Sequence, residues 1–164
     1  MKQIDDFVDV ASRYCSLIDR RGSLDAHGFI HQVRELLPLL YYHALHLPNR
    51  ECNDEEIARK INHDQWKSVY DGLSDLLGMN NLYWEIFDQI SETPDQPVAT
   101  TIADDLADIW RDLQVGVEMW PTASDDEKHE IVWQWRFSFQ SHWSNHLVDS
   151  MRAVNWITES YGIR

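Results

Sequence analysis

Apolar residues recur at intervals of three and four along most of the chain, the spacing of one helical face. Ile4, Phe7, Val8, Ala11, Tyr14, Cys15 and Ile18 define a first helix, which RRGS breaks at Gly22. Ser23 is placed to cap a second, running to about Leu45 with Phe29, Ile30, Val33, Leu36, Leu37, Leu40, Tyr41 and Ala44 inward; Pro38 should kink or split it. LPNRECN reads as a loop and EEIARK as a short helix. A firmer helix starts at Asp64, a plausible cap, and carries Trp66, Val69, Tyr70, Leu73, Leu76 and Leu77 up to Gly78.

MNNLYWEIFDQI fits either a short helix or an extended strip, and SETPDQP, with Pro94 and Pro97, is a loop. Thr101 with Asp104 three residues on opens a helix to about Met119, and Pro121 breaks the run. Ser124 with Glu127 repeats the device and opens the longest periodic stretch, to about Ser160. A straight helix of that length would span about 50 Å, so a bend or a late start is expected. No stretch alternates with period two for long, no hairpin dipeptide separates two apolar runs, and there is no internal repeat. The expected fold is an all-α bundle of five to seven helices, one domain over residues 1–164, with a long, central C-terminal helix.

Length changes this picture little: 164 residues fit one domain with a sizeable core. Charge changes it more. Twenty-eight acids against fourteen Lys and Arg give a net charge of -14, which repels a phosphate backbone, so direct nucleic-acid binding is not expected. Two cysteines, Cys15 and Cys52, make no disulfide framework. MKQIDDFVDV lacks the apolar run of a signal peptide, and no window resembles a membrane span. The expectation is a cytoplasmic protein that solvated acidic charge keeps in solution.

Candidate chemistry concentrates in the last two helices. With Trp135 at zero and 100° per residue, Ile131, Val132, Phe139, His142, His146, Asp149, Ala153 and Ile157 fall within about 60° of it. His142 and His146, one turn apart, and Asp149, three residues on, can approach one point on that stripe. Imidazoles at i and i+4 are a way for one helix to supply two nitrogen ligands, with carboxylates completing the shell or orienting the rings. The pair lacks the Glu that would make it HExxH. In TTIADDLADIWRDL the core stripe is Ile102, Leu106, Ile109, Leu113, Val117 and Trp120; Asp105 and Asp112 lie at its border, and Asp104 and Asp108 point further out. Asp104 and Asp105 also sit where the helix dipole favours acids, and Asp108 can pair with Arg111 on the surface.

ADDLADIWRDL followed by HWSNHLVDSMRA resembles a family of small bacterial helical proteins classed only as a domain of unknown function, with ADDLADIYRDL-like and HWGxHxxDAxRA-like stretches. Trp110 and Ser144 depart from that pattern. RYCSLID and LLPLLYYHALHLP extend the resemblance over most of the chain. The resemblance implies an all-helical fold and a common cluster of Asp105, Asp108, Asp112, His142, His146 and Asp149, without an activity.

Elsewhere the sequence is structural in character. Six of the eight tryptophans lie between Trp110 and Trp156 at helical spacing, which suits a core. Nucleophile motifs and phosphate-binding Gly-rich loops are absent. The first functional reading is a non-catalytic interaction or adaptor protein, with an unidentified protein partner, whose His/Asp cluster fixes helix packing. The second is a metal-dependent hydrolase or metal-binding bundle holding one transition-metal ion such as zinc. The third, an acidic mimic of nucleic acid, rests on charge alone.

Overall fold

A computed structural model describes residues 2–160 other than 54, 56, 58, 87–89 and 94. Helix α1 (Lys2–Asp19) buries the predicted face, with Phe7, Tyr14 and Ile18 fully enclosed. Helix α2 (Ala26–Leu45) is capped by Asp25, not Ser23: its carboxylate accepts from the Gly28 N–H, while Ser23 ends a single 3-10 turn. The helical run continues through Pro38, so the predicted split does not occur. The ring is exposed, and Leu36, Leu37 and Leu40 bury themselves on either side, offsetting the roughly 3 kcal/mol that an interior proline costs.

The described residues of EEIARK are not helical; Glu56 and Ala58 lie outside the described residues. Helix α3 (His63–Leu77) begins two residues earlier than expected, because Asn62, not Asp64, is the cap and forms a reciprocal capping box with Gln65. It ends at Gly78, whose φ of 53° needs a residue without a Cβ. The ambiguous stretch is extended: strand β1 (Leu82–Glu85) pairs antiparallel with β2 (Val98–Thr101), Glu85 opposite Val98 and Leu82 opposite Thr101. The fold is therefore mostly helical with one small hairpin, which the all-helical expectation omits.

Helix α4 (Ile102–Met119) follows directly from β2, with Thr101 accepting from the Asp104 N–H. The Ser124–Glu127 capping box starts α5 (Asp125–Ser138). The run then passes through a π-turn (Phe139–Trp143) into α6 (Ser144–Ser160). There is no late start; the expected irregularity is this turn. Helix α1 packs on α2 and α4, α3 on α4, and α6 lies against both α2 and α4, so the C-terminal helix is covered on two sides. One contiguous core joins helices α1 to α6, and α4 is enclosed along most of its length. Among the described residues no helix is long and apolar enough to cross a membrane.

The π-turn resets the phase of the long helix. Its closing bond runs from the Ser144 N–H to the Phe139 carbonyl, five residues apart, so one extra residue is absorbed and everything beyond lags by about 100°. The innermost stripe therefore switches from Trp135 and Phe139 to Trp143, Leu147, Ser150 and Val154. His142, His146 and Asp149 move to its flank, facing α4.

A candidate metal centre between α4 and the C-terminal helix

His142 and His146 are half-buried, with side chains 37% and 24% exposed. They are thus not on the dry centre line that uniform helical projection gives them. What they face is more specific. His142 Nδ1 lies 2.6 Å from Asp112 Oδ2, and His146 Nδ1 lies 2.9 Å from Asp105 Oδ1. A carboxylate offers no hydrogen, so each Nδ1 is the donor; in the neutral ring each Nε2 then keeps its lone pair, and in the imidazolium it carries a second N–H. Both Nε2 atoms then turn toward one oxygen, Asp108 Oδ2, at 3.6 Å from His142 and 3.4 Å from His146.

Asp108 is 8% exposed, although helical projection places it on the outer side of α4. The reason is enclosure: α4 is packed by α1, α3 and α6, and His142 and His146 of the C-terminal helix lie against Asp108. Its other oxygen, Oδ1, ion-pairs with Arg111 Nη2 at 2.9 Å. Asp105 is 2% exposed and also accepts from the Tyr83 hydroxyl at 2.6 Å. Asp104, half-buried, forms a second ligand-like group with Asp105 and His146.

The protonation equilibria follow from this crowding. Burial alone would lower His146, but the Asp105 hydrogen bond and the charges of Asp105, Asp108 and Asp104 hold it above its ordinary value. Burial raises Asp105 despite its bonds from His146 and Tyr83. Asp104 is raised by burial and then by the neighbouring Asp108 charge.

Asp149 does not join these groups. It lies further along the same helix flank and lines one cleft with Glu85, a residue that sequence reasoning passed over. Glu85 is 8% exposed, and burial, then Asp149, push its carboxyl up to about 7. On β1 the inward positions are Tyr83 and Glu85, while Leu82 and Trp84 are 61% and 65% exposed. That inverted pattern hides the strand from any search for apolar alternation; the Y-x-E spacing was its only signal.

Of the six candidates, the structure brings five into one network: Asp108 facing both Nε2 atoms, Asp105 and Asp112 behind the rings, and His142 and His146 between them. The protein is a helical bundle with a His/Asp cluster between its two most closely packed late elements. Within that class it is specific: residues 1–159 match the family described as "Domain of unknown function (DUF5063)", and the chain belongs to that family. It is similar in fold to the crystal structure of protein BF1032 from Bacteroides fragilis, with a TM-score of 0.83 at 23% identity over 95% of this chain and 92% of that one. No curated protein matches the chain.

Proposed function

We propose that the protein binds one divalent transition-metal ion, zinc being the simplest candidate, through His142 Nε2, His146 Nε2 and Asp108 Oδ2. The carrying observation is the pair of Nε2 atoms aimed at one carboxylate oxygen. At 3.4 and 3.6 Å these contacts are longer than ordinary N–H···O hydrogen bonds, and in the neutral rings each Nε2 lone pair repels the anionic oxygen. A cation between them removes the conflict. Bonds of about 2.0–2.2 Å in tetrahedral geometry give ligand-to-ligand edges of about 3.3–3.6 Å, which matches both separations.

Two further observations support it. Of the three carboxylates Asp105, Asp108 and Asp112, Asp108 is paired with a guanidinium, that of Arg111, while Asp112 and Asp105 face the imidazoles of His142 and His146; a dication would offset this excess of acid when the imidazoles are neutral. Carboxylates on both Nδ1 atoms are the usual outer shell of histidine metal ligands. Three protein ligands, two of them only half-buried, leave a coordination position open, as in reactive rather than closed structural sites.

Elemental analysis of untagged protein, dialysed after zinc supplementation, is expected to give one equivalent of zinc. The His142→Ala, His146→Ala double variant is expected to give none. Absence of metal from the folded wild type would overturn the proposal. One observation favours a second reading, an interaction module: Met79, Leu82, Trp84 and Trp156 are all more than half exposed and line a single cavity of about 440 Å³, an apolar surface of the sort that partners cover.

A further inference from the structure

A cleft of about 360 Å³ adjoins the proposed centre through its two histidines, lined by Glu85, Ser141, His142, Asn145, His146 and Asp149, together with Val148. No Lys or Arg is among those lining residues. An anionic substrate would meet the two carboxyls of Glu85 and Asp149 there with no side-chain cation to offset them. An uncharged one meets neutral polar groups, Ser141 and Asn145, and the apolar Val148.

Glu85 reaches this cleft from β1, across from the helix that carries the two histidines. It is nearly buried and shares the cleft with a second carboxyl, that of Asp149, and two neighbouring carboxyls in such a place favour keeping one proton between them. A carboxyl pair of this kind carries both a proton and an acceptor oxygen at neutral pH. The hairpin thus contributes a proton-transfer group to a site whose other members all come from helices.

We propose that the cleft is a hydrolytic active site for uncharged acyl compounds, esters or amides, in which the Glu85 carboxylate takes the proton of the attacking water. The inference rests on the metal reading above. In the step, a water O–H bond breaks and its proton passes to Glu85; the water oxygen bonds to the acyl carbon. The bond from that carbon to the leaving oxygen or nitrogen then breaks, and Glu85 returns the proton to the leaving atom. Water and substrate account for all atoms, and no oxidant or reductant is needed. A cation held by Asp108, His142 and His146 would supply charge stabilisation for the acyl oxygen, and Asn145, which lines the same cleft, has an amide able to donate to it. Asp149 acts through Glu85 and is a positioning residue.

The test compares zinc affinity with turnover of phenyl acetate, a neutral ester, and of phenyl phosphate, its anionic counterpart. Zinc-loaded wild type is expected to release phenol from phenyl acetate faster than the same concentration of free zinc, and to leave phenyl phosphate intact. Glu85→Gln is expected to lower kcat at least about 100-fold, with zinc affinity within threefold of wild type and an unchanged far-ultraviolet circular dichroism spectrum. Asp149→Asn, which keeps the Glu85 carboxyl, is expected to lower kcat less and to leave KM and zinc affinity unchanged; it serves if the first variant fails to fold. If zinc binds but phenyl acetate is not turned over, or both variants hydrolyse it at the wild-type rate, the hydrolytic inference fails while the metal reading stands. Turnover of phenyl phosphate instead would overturn the substrate class. No zinc binding at all would remove both readings.

Discussion

At the scale of single residues, chemically identical side chains on α4 have different tasks set by a one-turn difference in position. Asp108 presents an oxygen to both Nε2 atoms, whereas Asp105 and Asp112 hold the far side of each ring. An asparagine at either outer position can still accept from Nδ1, but it carries no charge to raise the basicity of the imidazole. Asp105→Asn and Asp112→Asn are therefore expected to weaken zinc binding about 10- to 100-fold each without abolishing it. Asp105→Asn should be the more severe, because that carboxylate is the more deeply buried and also receives the Tyr83 hydroxyl. Competition with a chromophoric chelator measures both constants. Equal affinity in wild type and Asp105→Asn would show that the ring contacts are incidental to the metal.

At the scale of elements, the approach of α4 to α5 sets where Asp112 meets His142. Gly116 makes that approach: a Cβ there would lie 2.5 Å from Trp135 Cζ2 and 2.8 Å from Ile131 Cγ2. Trp135 is itself wedged between Phe7 and Trp120, with ring centroids 5.1 and 5.5 Å away, so it has little room to yield. Gly116→Ala is expected to cost about 1–3 kcal/mol by chemical denaturation through overpacking, despite alanine's better helix propensity. A neutral or stabilising effect would mean that α5 can slide outward.

The same elements show what a reader of the sequence can and cannot extract. The faces of α1, α2 and α4 were legible because each buries apolar residues at a steady helical period, and the Ser124–Glu127 box announced α5. Pairing of ADDLADIWRDL with HWSNHLVDSMRA was legible from spacing and resemblance. The division of labour among the aspartates was not. A projection at constant angle cannot anticipate the π-turn at Phe139–Trp143, which moved His142 and His146 to the flank and made Asp108 their common neighbour. Hairpin and Glu85 escaped for a different reason: β1 is four residues long and turns its polar side chains inward, a local violation of the pattern rules that sites commonly impose.

At the scale of the molecule, the centre joins the middle of α4 to the long C-terminal helix, so its occupancy should register in global stability. A ligand that binds only the folded chain adds RT ln(1 + [L]/Kd), about 2.7 kcal/mol at a hundredfold excess over Kd. For a domain of this size that corresponds to roughly 5–10 °C in Tm. Zinc is expected to raise Tm by that amount, a chelator to reverse it, and the His142→Ala, His146→Ala variant to show no response. The competing arrangement, two imidazolium rings sharing Asp108 as a metal-free lock, makes the opposite prediction. It would be intact in chelator-treated wild type, so zinc would leave Tm unchanged and the double variant would melt lower even without metal. Without the lock, the apo site sets two lone pairs against a carboxylate, and replacing the histidines should then leave the chelator-treated Tm unchanged or raise it. The sign of the Tm difference between chelator-treated wild type and double variant thus separates a centre built around a cation from one built around two protons.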